Sequence, residues 1–218
     1  MQGIYHRHEI PIADHLMSFK DALTKEFLGG FKSLEDALQH KSGPALLSRP
    51  GDPDSEYLIK TNGIDNENGW QSTGFRYRNP FTNINWESGR DLFWRHPTAY
   101  KILKEYGDDC PIANYSCLAP NTVIHRHTGI ENRLGEYIRI HIPLIIPDGD
   151  IFLEVDGEEV TWDNLFGFNN QLVHSAHNYS SEYRLIFLLD IRRSRAGVEP
   201  GVIYDETYEK NITPFVRK

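Results

Sequence analysis

The chain has 218 residues, 39% of them hydrophobic and 12% aromatic, with glycine and proline spread along it, which is the profile of one folded domain with a full core. A formal net charge of −8 and no lysine/arginine run exclude the basic field that nucleic acid or an anionic membrane surface requires. The polar start Met1-Gln2-Gly3-Ile4-Tyr5 lacks the apolar stretch of an export signal, and no apolar run nears the roughly 20 residues of a membrane helix, so a cytoplasmic setting is expected.

In that reducing setting Cys110 and Cys117 are expected as buried thiols, and the sequon matches at Asn114, Asn178 and Asn211 carry no meaning. Leu16, Phe19, Leu23 and Phe27 recur at three- and four-residue steps and Gly29-Gly30 follows, which predicts an amphipathic helix over 14–28 packed on the outside of a sheet. Ser33-Leu34-Glu35-Asp36 reads as a helix cap and starts a shorter helix near 34–40. Residues 42–55, rich in Gly, Pro, Ser and Asp, read as loop. Pro97, Ala99, Ile102 and Leu103, closed by Gly107, give a third helix with proline in its first turn.

Beyond Ile112 the pattern changes to short alternating or apolar runs separated by Pro147-Asp148-Gly149, Asp156-Gly157 and Asn169-Asn170. Strands are predicted near 112–118, 121–125, 136–146, 151–155, 158–162, 165–168, 172–176 and 183–191. The expected fold is mainly β, a jelly-roll or cupin-like barrel with flanking helices in the N-terminal half. Within a single domain, 1–110 would supply helices, loops and substrate-side elements, 111–192 the β core with the site, and 193–218 a C-terminal extension.

His125, His127, His141, His174 and His177 fall in the predicted barrel, whose interior gathers side chains from strands distant in sequence. Two histidines with open positions suit non-haem iron, although imidazole serves Zn, Cu and Ni as well, and hydrogen-bonded core histidines are the plainer alternative. His6, His8, His15, His40 and His96 read as surface or packing residues, and His177 as solvent-facing or substrate-side. In Tyr137-Ile138-Arg139-Ile140-His141-Ile142 the period of two puts Arg139 and His141 on one face and the isoleucines on the other. The run from Tyr183 to Leu189 is apolar on both faces except for Arg184, whose burial demands an anion, either an Asp or Glu or a ligand.

Ser116, the tripeptide His127-Thr128-Gly129 with Asn132 and Arg133 after it, then Arg139, His141, His174 and the Arg184-Leu185-Ile186-Phe187 run through Asp190 resemble the aspartyl/asparaginyl β-hydroxylases. The resemblance is strongest over 112–192, extends to about Trp70, and is not claimed before residue 60. It implies a double-stranded β-helix and a 2-oxoglutarate-dependent dioxygenase in which His127 and His174 bind Fe(II). O₂ would be the oxidant, with succinate and CO₂ as co-products. Ser116 and Arg184 would hold the distal carboxylate of 2-oxoglutarate, Arg139 and His141 would lie near its chelating end, and Trp70 would touch it.

Many such oxygenases carry Asp or Glu where this chain has Gly129, and that glycine is itself characteristic of the β-hydroxylases. Glu131 and Glu136 are the alternatives for a third ligand, without the two-residue spacing, and His125 competes with His127 because both project from one face. The expected substrate is a small amino-acid-like molecule or a peptide, recognised by the region 42–95 around Trp70, Trp86 and Trp94, with Arg76, Arg78 and Arg90 available for a carboxylate. A non-catalytic cupin-like dicarboxylate sensor is the alternative function, and a zinc hydrolase or isomerase ranks below it.

Overall fold

The computed structural model describes residues 2–39, 58–60, 69–80 and 85–201. The predicted loop 42–55, His40 and the Asn211 sequon lie outside these residues.

The helix expected over 14–28 forms as two pieces, α1 (Ala13–Met17) and α2 (Lys20–Leu28). The break falls at Ser18, whose Oγ donates to the carbonyl of His15 at 2.6 Å and so competes with the helical ladder. Gly29 ends α2 in a left-handed conformation, φ 59°, where its N–H bonds the carbonyl of Lys25. Ser33 caps α3 (Leu34–Gln39) by accepting from the N–H of Asp36. α4 (Arg90–Arg95) was not expected, whereas α5 (Pro97–Tyr106) runs from proline to glycine as read. α6 (Arg193–Ala196) closes the described part.

Two antiparallel sheets face one another, in the mainly β, cupin-like arrangement expected. The larger has the order β1 (Ile4–His6), β10 (Phe166–Phe168), β7 (Tyr137–Ile145), β12 (Arg184–Arg192), β5 (Ile112–Leu118), β3 (Trp70–Arg78) and β4 (Asn85–Glu87). The smaller is β2 (Leu58–Lys60), β6 (Thr122–His127), β11 (His174–Asn178), β8 (Ile151–Val155) and β9 (Glu158–Thr161). The four strands β1 to β4 lie in the half read as helix and loop, and β3 pairs along the whole of β5.

The period of two divides the larger sheet between two cores. Leu185, Phe187, Leu189 and Ile191 of β12, Ala113, Tyr115 and Cys117 of β5, and Ile138, Ile140 and Ile142 of β7 pack against Leu16, Leu23, Phe27, Ile102 and Leu103 of the helices. Ile186 and Leu188 of β12, with Ile112 and Leu118 of β5, turn the other way and meet Ile124, Leu153 and Ala176 of the smaller sheet. Arg184, Asp190, Ser116, Arg139 and His141 share this inward parity. Every polar side chain the barrel interior receives from these three strands therefore alternates with a residue buried under the helices. Cys110 and Cys117 are free, buried thiols, and burial pushes each up to about 12.

Candidate active site

A partly open cavity lies between the sheets. Its wall includes each of the residues singled out in sequence for metal and cosubstrate: Trp70, Ser116, His127, Arg139, His141, His174 and Arg184.

His127 ends β6 and His174 begins β11, and the two are direct cross-strand partners. Their ring centroids stand 4.1 Å apart. Each ring bonds a backbone carbonyl through Nδ1, His127 to His125 at 2.6 Å and His174 to Leu172 at 2.8 Å. A carbonyl only accepts, so the proton stays on Nδ1 and the lone pair on Nε2, the preparation a metal-binding imidazole needs. Burial holds both rings below the ordinary histidine range, and for His174 the neighbouring His127 adds to it, so both are neutral near pH 7.

The expectation that His125 shares a face with His127 is corrected by a β-bulge. Three residues of β11, His174 to Ala176, face four of β6, His127 to Ile124, so one residue of β6 is extra. The bulge brings both Ile124 and His127 to the cavity, whereas His125 is not part of its wall. His177 lies outside the cavity too, held by Ser175 Oγ at 2.9 Å and Tyr179 Oη at 3.0 Å and stacked on Phe152 at 4.4 Å.

In the cavity wall Arg184 is 1% exposed and has no carboxylate partner among the described residues. Its Nε lacks a hydrogen-bond partner, and its guanidinium lies 4.7 Å from the ring centroid of Trp162. Burial lowers its pKa to about 10, which still leaves a full cation at neutral pH. Trp162 also donates its indole N–H to His141 Nδ1 at 3.2 Å. That bond makes Nδ1 the acceptor and puts the ring proton on Nε2, a buried atom with no partner in the protein. Burial, with Arg184 and Arg139 nearby, keeps His141 well below the usual range and therefore neutral. Trp70 Nε1 donates to Ser116 Oγ at 2.8 Å, which leaves the hydroxyl hydrogen of Ser116 to donate onward. A guanidinium, an imidazole N–H and a hydroxyl thus converge without an acceptor, the chemistry of an anion receptor.

Arg139 has a different setting. Asp190 grips it through Nε at 2.7 Å and Nη2 at 2.9 Å, and Glu131 Oε1 meets Nη2 at 2.5 Å. Its anions are protein carboxylates, although it still faces the cavity. Burial pushes the Asp190 carboxyl up against the pull of Arg139. Glu131 is also the acceptor of Asn170 Nδ2 at 3.0 Å, and Glu136 pairs with Arg192 at 3.4 Å. Among the described residues no third His, Cys, Asp or Glu joins His127 and His174 in a metal-holding group.

Arg76 and Arg78 are engaged elsewhere. Arg76 bonds Glu87 at 3.0 Å and the carbonyl of Cys110 at 3.1 Å, and Arg78 bonds Asp108 at 2.6 Å. Neither belongs to the cavity wall, which instead takes Trp70 and Tyr77 from β3. The sequence reading missed Trp162 and Asn170, which stand in no motif. Asp190 shares the parity of Arg184, six residues on, and that parity was a usable signal for it.

No helix among the described residues is long and apolar enough to cross a membrane. Among solved structures the chain is similar to a 2OG-Fe(II) oxygenase family oxidoreductase from Burkholderia pseudomallei, at 9% identity over 62% of this chain and 72% of that one, TM-score 0.41. It is also similar to a cupin-like protein from Thermotoga maritima, at 11% identity over 78% and 98%, TM-score 0.34. No curated protein matches it in sequence. The model of the aspartyl/asparaginyl beta-hydroxylase family matches residues 51–194, more than half of the chain, and the chain belongs to that family.

Proposed function

We propose that this protein is a 2-oxoglutarate- and Fe(II)-dependent dioxygenase that hydroxylates a C–H bond of an amino acid, an amino-acid derivative, or an Asp or Asn residue in a peptide or protein. The observation that carries the reading is the buried, carboxylate-free Arg184 in the same cavity as two neutral histidines.

His127 and His174 would hold the iron through Nε2, a donor set that fits non-haem Fe(II) with open positions. Bound iron with 2-oxoglutarate and O₂ supplies oxidation of an unreactive C–H bond, with succinate and CO₂ released. Arg184 binds the distal carboxylate as a charge-assisted pair, and Ser116 Oγ–H and His141 Nε2–H add donors. Trp162 orients both Arg184 and His141, and Trp70 orients Ser116. Ile112, Ile124, Leu153, Ile186 and Leu188 line the rest and exclude water around the reacting carbon. Arg139, in its pair with Asp190 and Glu131, borders the site with formally one positive and two negative groups, which partly offsets the charge of a cation held only by neutral imidazoles.

Succinate release from 2-oxoglutarate, measured with Fe(II) in air across free amino acids, their derivatives, Asp- or Asn-containing peptides and folded proteins, tests the reading. Stimulation by a small amino-acid-like substrate is the expected result. Stimulation by folded protein alone would overturn the small-substrate part, and tight 2-oxoglutarate binding with no turnover at all would make the protein a dicarboxylate sensor.

A further inference from the structure

Position 129 carries no side chain, yet its backbone would accept one. Gly129 has φ −77° and ψ 93°, an extended conformation open to any L-residue. The obstacle is two neighbouring side chains. A Cβ at 129 would lie 2.3 Å from Asn170 Nδ2 and 2.9 Å from both Asn170 Cγ and Glu131 Oε1, closer than real contacts allow.

Asn170 is not placed to swing aside. It is fully buried, its Oδ1 accepts from Asn132 Nδ2 at 2.7 Å, and its Nδ2 donates to Glu131 Oε1 at 3.0 Å. Its own carbonyl accepts the N–H of Gly129 at 2.6 Å. Asn132 is fixed in turn by the backbone of Tyr137, donating to its carbonyl at 2.8 Å and accepting its N–H at 3.0 Å. The loop that leads into His174 therefore closes the place that follows His127.

We propose that Asn170 is a positioning residue that shuts position 129 to any side chain and, through the same amide, holds Glu131 in its pair with Arg139, so that the metal site keeps two protein ligands. Many such oxygenases carry Asp or Glu two residues after the first histidine, the position Gly129 holds, where a carboxylate would complete a facial triad. Steric exclusion by Asn170 and by the Glu131 carboxylate it holds, not backbone strain, keeps the position a glycine. The inference rests on the two-histidine reading of the proposed function.

The test combines thermal unfolding with Co(II) affinity for Gly129→Ala, Gly129→Asp, Asn170→Ala and the double variants, with Asn170→Ser as a milder replacement should the alanine variant fold poorly. Gly129→Ala should lower the melting temperature by about 5 °C in the native background and by much less once Asn170 is shortened. Gly129→Asp alone should gain no Co(II) affinity, whereas with Asn170 shortened it should bind Co(II) about tenfold more tightly than the Gly129→Asp single variant. Additive melting shifts, or an equal gain from Gly129→Asp alone, would overturn the proposal. Co(II) binding unchanged by His174→Ala would instead remove the two-histidine reading, and the unfolding cycle would still decide whether Asn170 closes position 129.

Discussion

A guanidinium sealed against Trp162 inside a barrel is tolerable in the protein only if an anion reaches it, because no carboxylate among the described residues neutralises it. Arg184→Ala should therefore weaken 2-oxoglutarate binding by roughly a hundredfold or more, the scale of a lost buried charge pair, while Co(II) remains bound. Titration calorimetry on the Co(II)-loaded variant reads both, and undiminished affinity would place the anion elsewhere. Arg184→Lys should not restore binding, since a point charge replaces a planar fork. His96 gives a second prediction at this scale. It is buried between Phe75 and Tyr115, neither ring nitrogen has a hydrogen-bond partner, and burial lowers its pKa from 6.5 to about 4. Between those values the unfolded chain takes up a proton that the folded one refuses, so stability is full above pH 6.5 and falls as the pH drops toward 4. The loss is about 3 kcal/mol, and His96→Phe should flatten the pH dependence of the denaturant midpoint over that window. An unchanged slope would show that other groups carry the acid sensitivity. Parity and motif singled out Arg184, His141, His127 and His174 in the sequence, and the structure brings all four to one cavity. It could not reveal Trp162, because an indole arriving from beyond β9 has no periodic relation to β7 or β12.

At the scale of elements, Asn178 joins the two sheets. It is fully buried on β11, and its Nδ2 reaches the carbonyls of Leu118, Ala119 and Glu182 at 3.0, 2.9 and 2.9 Å, while its Oδ1 accepts from Ser180 Oγ at 2.7 Å. Asn178→Ala should cost about 2 kcal/mol by leaving those carbonyls unpaired. Asn178→Asp should cost more at neutral pH, since a carboxylate would face carbonyl oxygens, and the gap should narrow in acid as it protonates. Equal denaturant midpoints for the two variants across pH would contradict this. The strands of 112–192 were legible because apolar and polar residues alternate cleanly there. β3 was not, since Trp70-Gln71-Ser72-Thr73-Gly74 is largely polar and a register shift between Gly74 and Arg76 breaks its period. A similar irregularity in β6 put His125 on the wrong face in the sequence reading, as bulges leave no mark on a simple count of two.

Across the whole molecule, one sheet serves two cores, and the division sets where chemistry is possible. Its outer face is sealed by helices α1, α2 and α5, which fixes β5, β7 and β12, and its inner face is then free to carry polar groups in a rigid frame. The fold class was readable from strand spacing and the site from residues that this frame brings together, whereas the Asn132–Asn170–Glu131 contacts depend on loops whose approach no local pattern encodes. The most direct test of the central claim is visible absorption of the Fe(II)-loaded protein titrated with 2-oxoglutarate without oxygen. The account predicts a charge-transfer band that saturates with one equivalent of 2-oxoglutarate, is lost in His127→Ala and His174→Ala, and needs far more 2-oxoglutarate in Arg184→Ala. A native protein that shows no band at saturating Fe(II) and 2-oxoglutarate, or one whose band survives loss of either histidine, would contradict it.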